Sequence, residues 1–226
     1  MEDKMERIIK VTGQAKIAVK PDMIRLSIDL KGTQKSYEDA LQQSSQQTET
    51  LKNCFENLGF ERTDLKTTSF QVNTKYESYQ DKLRTWKQKF VGYEFRHSLK
   101  IEFDVNHQMF GKMLYALAHS SAEPEFRFFY TVKDAEPVRN LLLAKAVEDA
   151  KVKAELLAKA AGVTLGEIST IDYSWEEVEI ISRPMNQMKG TYACAEEEDR
   201  AYSCEIDMEP ADINVSDHVT VRWYLC

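Results

Sequence analysis

The side chains of this chain best suited to chemistry are few and scattered. The four histidines are His97, His107, His119 and His218. His97 sits among apolar residues on one face of an alternating segment, so a histidine satisfied in a core or interface outweighs a ligand there. His107 and His119 bracket a short helical stretch, with His119 at its C-terminal end, where a cation meets the helix dipole favourably. His218 falls on the polar side of the last alternating segment. None has a His, Cys or Asp at metal-ligand spacing, so neither a metal site nor a cofactor is expected. For nucleophilic catalysis GxSxG is absent, and no Cys/His pair can be assembled by spacing. Neither GxxxxGK[ST] nor GxGxxG is present to cradle a phosphate. Glu148 and Asp149 are adjacent on a helix and point about 100° apart, which suits a solvated, ion-paired face better than acid–base work. No catalytic residue is assigned, and the chain is expected not to be an enzyme.

The four cysteines are Cys54, Cys194, Cys204 and Cys226. Cys54 shares a helical face with Leu51, Phe55 and Leu58, so a buried thiol is expected. Cys194 and Cys204 flank the acidic run Glu196–Asp199 in a loop-like stretch. They form the one candidate redox pair, with free thiols as the plainer reading. No CxxC or HxxxH spacing accompanies them.

Period-two patterning dominates the elements that must carry these residues. Ile9, Val11, Gly13, Ala15, Ile17 and Val19 alternate with mostly polar neighbours, and Pro21-Asp22 supplies a turn. Ile24, Leu26, Ile28 and Leu30 then alternate in the same way, so the two segments read as a hairpin with one wet face. Ser36 with Asp39 resembles a capping box and Gly59 a stop; between them Tyr37, Leu41, Thr48, Leu51, Phe55 and Leu58 form a helical stripe. A third strand runs through Phe70, Val72, Thr74 and Tyr76. The fourth carries Val91, Tyr93, Phe95, His97, Leu99, Ile101, Phe103 and Val105 on one face. Such a strand spans roughly 45 Å against a usual length of about 20 Å, so it must bend or reach beyond its own domain.

Asn106 caps a second helix with Phe110, Met113, Leu114 and Leu117. Strand five covers Phe126–Val132; its aromatics read as core packing rather than a platform for nucleic-acid bases. Asp134 opens a third helix that ends before Gly162. The face Ala146, Ala150, Ala154, Leu157 and Ala161 suits a close approach to a sheet, and Asp149 stands four residues before Lys153 in the favourable order for an ion pair. Strand six is expected over Glu167–Trp175 and the last strand over Ile213–Leu225, with an irregular excursion at about 184–212 between them. The order ββα-ββ-α-β-α-ββ indicates an α+β fold of antiparallel hairpins with three helices packed on the sheets. Without a linker-like stretch, residues 1–226 read as a single domain.

Composition narrows the function classes. With 30 Lys+Arg against 37 Asp+Glu the net charge is −7 over 226 residues, which argues against a nucleic-acid partner. A hydrophobic share of 42% suits a core-forming chain rather than a disordered one. No window approaches a transmembrane segment and no signal peptide is visible, so the polypeptide as written is expected to be cytoplasmic; a periplasmic or surface location would need a leader already removed.

Glu77–Lys89 resists a core reading. Tyr79, Leu83 and Trp86 stand there among Asp81, Lys82, Arg84, Lys87 and Lys89, where a hairpin tip would shed large apolar side chains. Two readings stand: the three fold back on the body, or they make a protein–protein contact, for which Trp, Tyr and Arg are favoured.

Several segments together resemble the SIMPL-domain family. They are Val11-Thr-Gly-Gln-Ala15 with Val19-Lys-Pro-Asp22; Asp64-Leu-Lys-Thr67 with Phe70-Gln-Val72 and Tyr76; Gly92-Tyr93 with Leu99; Ala144–Ala150 with Lys153–Ala158, Gly162 and Leu165-Gly166; and Ile213–Ser216 with Val219–Val221 and Leu225. The family includes bacterial periplasmic immunogenic proteins, oxidative-stress-defence proteins and a kinase-associated adaptor of animals. The resemblance implies an α+β fold and, from members that form ring- or channel-like assemblies, a homo-oligomer. It implies no established enzyme activity, cofactor or catalytic residue. Against the family's bacterial members, the sequence as written is expected to be without an export leader, and it has Ala15 where a second glycine is common and an acidic, Cys-bearing excursion. The expected function is non-enzymatic, through self-assembly and contact with a protein partner, in a stress- or envelope-related setting. The alternative is a small-molecule or peptide binder using a cleft between sheet and helix three.

Overall fold

The computed structural model describes residues 7–173, 179–182 and 209–226. Ten elements follow one another: β1 (Ile8–Val19), β2 (Met23–Gln34), α1 (Tyr37–Glu56), β3 (Lys66–Gln80), β4 (Trp86–Asp104), α2 (His107–Ala118), β5 (Glu125–Thr131), α3 (Glu136–Ala160), β6 (Leu165–Tyr173) and β7 (Ile213–Leu225). The fold is α+β in the expected order. Its strands form two sheets, β1-β7-β6 and β3-β4-β2-β5.

The chain condenses into two compact units. The first comprises β1, α3, β6 and β7. Val11, Gly13 and Ala15 of β1 face inwards together with Val215, Val219, Val221 and Trp223 of β7. Against them lies the small-residue face of α3, with Leu142, Ala146, Ala150, Ala154 and Ala158 all buried. The fit needs glycine at position 13: a Cβ there would stand 2.0 Å from the Ala146 carbonyl oxygen and 2.4 Å from the Ala150 amide nitrogen. Asp149, one helical position before Ala150, accepts a hydrogen bond from the Gln14 amide at 2.7 Å and an ion pair from Lys153 at 2.6 Å.

The second unit holds β2–β5 with α1 and α2. Ile24, Leu26, Ile28 and Leu30 stand opposite Phe103, Ile101, Leu99 and His97 of β4, on one buried face. The other face is polar, with Arg25 paired to Glu102 at 2.6 Å and Arg127 to Asp29 at 2.8 Å. Ser36 accepts from the Asp39 amide at 3.0 Å to start α1, and Asn106 from the Met109 amide at 2.9 Å to start α2, the two caps expected. Phe128 and Tyr130 of β5 are buried, with the Phe128 ring 4.7 Å from that of Phe110.

Four expectations need correction. β1 and β2 do not form a hairpin: β1 pairs with β7, from Ile8↔Tyr224 to Val19↔Ile213, while β2 pairs with β4. Pro21-Asp22 carries the chain from one sheet to the other, since alternation fixes a strand's face but not its partner. Second, β3 and β4 extend through most of Glu77–Lys89, leaving only Asp81–Thr85 as the turn. Third, Cys54 is half-buried rather than buried. Fourth, Leu157 and Ala161 are exposed and Ala158 is buried in their place, because the face of α3 against the sheet steps by four residues from Leu142 to Ala158. The expected excursion, up to residue 208, lies outside the described residues, as do Trp175 and the candidate pair Cys194 and Cys204.

Replacing Gly13 with Ala is expected to destabilise the protein by about 1–3 kcal/mol, the usual cost of forcing a methyl into a filled interface. The readout is a lower urea midpoint at unchanged slope. An unchanged midpoint would mean that α3 does not hold this close approach.

Candidate functional site

Two places bring functional side chains together, both in the second unit. The first is His97 on β4. Its Nδ1 lies 3.1 Å from Ser44 Oγ and 3.2 Å from Thr48 Oγ1, and its Nε2 lies 2.9 Å from Thr67 Oγ1. Thr48 donates its own proton to the Ser44 carbonyl at 2.8 Å, so towards the imidazole it can only accept. The Phe70 ring meets the imidazole edge-on, 5.1 Å away. Either tautomer of a neutral ring is satisfied by these hydroxyls. No carboxylate is among the partners, and Ser44 is buried, so the arrangement cages a half-buried histidine rather than activating the serine.

The remaining histidines stay apart. His119 closes α2, its ring stacked on Tyr115 at 4.0 Å and its Nδ1 2.9 Å from the Tyr115 carbonyl. His218 is exposed on β7, and His107 Nδ1 is buried without a hydrogen-bond partner. Among the described residues no three His, Cys, Asp or Glu side chains gather as metal ligands.

The second place is the end of β3 and β4. β2 accompanies β4 only from Asp104 back to Tyr93, whereas β3 continues along β4 to Gln80↔Trp86. Past Gly92, therefore, the two strands run on as a two-stranded arm. At its root Lys75 pairs with Gly92 but Tyr76 with Phe90, so Val91 is an extra residue on β4. Glycine is needed there, since a Cβ at position 92 would lie 2.2 Å from the Gln34 carbonyl oxygen. This bulge decides where the aromatics point. Without it Phe90 would face away from Tyr93; with it, Phe90 rejoins the face that buries Phe95 farther along. A chain of edge-on rings results, Tyr37–Tyr93 at 5.8 Å, Tyr93–Phe90 at 5.5 Å and Phe90–Tyr76 at 5.7 Å. Trp86, opposite Gln80, continues the same face.

The tip is held by Asp81. Its Oδ1 accepts from the Leu83 and Thr85 amides at 2.8 and 3.1 Å, and Lys87 pairs with Oδ2 at 2.8 Å. The Lys87 ammonium, with these amides, keeps the Asp81 carboxyl below its ordinary value. Arg84 takes a left-handed φ of 57° to close the turn.

Of the three aromatic and apolar residues expected to act together, the structure exposes all and aligns only some. Trp86 is 69% exposed and Leu83, at the tip, 85%. Tyr79 is exposed too, but it stands opposite Lys87 on the other face of the arm. They do not fold back on the body. Tyr76 and Phe90, which belong with Trp86, were not singled out by sequence. The missing signal was Val91: one inserted residue turns an even-numbered Phe90 onto the odd-numbered face of the strand.

Burial, and to a lesser degree Lys52, hold the His97 imidazole below its ordinary value. The unfolded chain then takes up a proton below about pH 6.5 that the folded one refuses. The stability contributed by neutral His97 is complete above that pH and is lost as pH falls through it. Between about pH 7.5 and 5.5 the thermal midpoint is expected to drop more in the wild type than in His97→Gln. Equal drops would show that His97 titrates freely.

No helix among the described residues is long and apolar enough to cross a membrane. No curated protein matches the chain. The model of a family described as SIMPL, a protein of unknown function (DUF541), matches residues 9–223. That span runs from β1 into β7 and takes in both sheets, the His97 cage and the arm, so the chain belongs to the SIMPL (DUF541) family.

Proposed function

We propose that this protein works without catalysis, by contact with other protein chains and first of all with copies of itself, through the aromatic face of the β3–β4 arm. One observation carries the reading: the apolar face of the larger sheet continues beyond the helix that covers it, onto an arm where Tyr76, Phe90 and Trp86 stand exposed in one row. A lone two-stranded hairpin is marginal in water, and beyond the cross-strand pair of Tyr76 with Phe90 its exposed ring surface adds little to its stability. Docked on another chain, the same rings would bury the surface they still expose, and aromatic rings are the class of anchor that dominates protein interfaces. Leu83 stands exposed in the turn at the tip, whereas Tyr79, with Lys87 opposite, belongs to a wetter face. A stress- or envelope-related setting rests on family resemblance alone and is proposed on that ground.

A ligand cleft between sheet and helix three draws no support at Gly13, where α3 lies in backbone contact with β1. No observation favours that reading over the first.

Solution mass by light scattering tests the proposal. The wild type is expected to be oligomeric, Trp86→Ser to shift it towards monomer, and Tyr79→Ser to leave it nearly unchanged. A monomeric wild type, or assembly untouched by Trp86→Ser with the fold intact by circular dichroism, would overturn it.

A further inference from the structure

The two sheets have four edges, and three of them are managed in ways that discourage pairing. The edge at β1 lies under α3, with the Gln14 amide taken by Asp149. β6 is broken by register shifts at Leu165/Ile168 and Ile168/Thr170. β5 is only 7 residues long. Short, bulged or covered edges are the usual defences against strand addition. β3 has none of them beyond its first residues. It is 15 residues long, contains no proline, and alternates without interruption from Ser69 to Gln80, because the bulge at the arm's root inserts its residue on β4. Among the described residues, no group from another element bonds to its outer backbone edge.

We infer that this edge pairs with the same edge of a second copy, antiparallel and centred on Asn73, to join two four-stranded sheets into one of eight strands. The inference rests on the self-assembly reading and names the strand and register that close it. The side chains select the register. About a two-fold axis normal to the sheet, centring on Asn73 sets Phe70 against Tyr76 of the second copy, twice over, and Val72 against Thr74 on the same face. Phe70 is 43% and Tyr76 55% exposed, so both rings have surface left to bury. Directly opposed aromatics are among the strongest cross-strand pairs. On the other face Lys75 meets Gln71 and Glu77 meets Ser69, so no like charges oppose.

Neighbouring registers are poorer. Centring on Lys75 sets that residue against itself. Centring on Tyr76 carries Phe70 past the end of the partner strand. Centring on Val72 or Thr74 sets each aromatic against a smaller residue, Thr74 and Thr68 in one case, Ser78 and Val72 in the other. Among the described residues, α1 packs chiefly on β2 and β4, and Phe70 and Tyr76 keep about half of their surface exposed on their face of β3.

Disulfide trapping in the intact chain tests the register. In the proposed pairing the two Asn73 Cα atoms lie about 4.5–5.5 Å apart, within reach of a disulfide. The two Gln71 Cα atoms are offset by about 13 Å along the strands and are out of reach. Asn73→Cys under mild oxidation is expected to convert most of the assembled chain to a covalent dimer, with Gln71→Cys no higher than the unsubstituted protein. Both positions are exposed, and circular dichroism checks the fold. Trapping at Gln71, at both sites equally, or at neither overturns the register. If neither traps while light scattering still shows an oligomer that Trp86→Ser weakens, the edge pairing fails and the arm reading stands. If the wild type is monomeric and neither traps, both fail.

Discussion

Strand β4 is longer than anything that can cover it. Its 19 residues reach about 60 Å, while the 20 residues of α1 extend about 30 Å. A helix and a strand of equal residue count cannot shield equal lengths of sheet, because one rises about 1.5 Å per residue and the other about 3.3 Å. α1 closes the stretch of β4 that β2 accompanies. The remainder must stand in water, and the sequence keeps it aromatic. Gly92, the extra residue at Val91 and the Asp81 turn all follow from that excess length: they release the arm past Gln34, turn its rings to one face and fold the strand back.

Three polar groups of the kind that do chemistry, His97, Asp149 and Asp81, are engaged in structural contacts. His97 uses both ring nitrogens on the hydroxyls of Ser44, Thr48 and Thr67. Asp149 accepts from both Lys153 and the Gln14 amide at its Oδ2, and these two contacts keep it ionised below its ordinary range. Asp81 does the same for a turn. Large apolar groups in the second unit are meanwhile left outside, at Phe70, Tyr76, Leu83, Trp86 and Phe90. Buried polar networks usually specify structure, and clustered exposed rings usually mark contact.

Much of this was legible as sequence, and the failures have a common cause. The faces of β1 and β2, that of β4 from Tyr93 onward, the caps Ser36 and Asn106, and Ala146, Ala150 and Ala154 on α3 all read correctly, because each is set by residues within a few positions of one another. Pairing is set elsewhere. β1 finds β7 at Ile8↔Tyr224, across nearly the whole chain, and nothing near Pro21-Asp22 distinguishes that outcome from a hairpin. The arm escaped recognition as strand for a different reason. With both faces in solvent its alternation is broken: Ser78, Gln80 and Gln88 share the face of Trp86 and Phe90, and Tyr79 shares that of Lys87, Lys89 and Glu77.

The same blindness explains why Tyr79 was grouped with Trp86. Proximity in sequence suggested one patch, but pairing Gln80 with Trp86 and Tyr79 with Lys87 sends the two rings to opposite sides. A patch on a two-stranded arm is defined by register, not by spacing. Register in turn hangs on single insertions such as Val91, whose removal would rotate Phe90 and Trp86 together away from Tyr93. The aromatic row is therefore a property of the bulge as much as of the rings, and a contact made through that row depends on Gly92 although the glycine itself touches no partner.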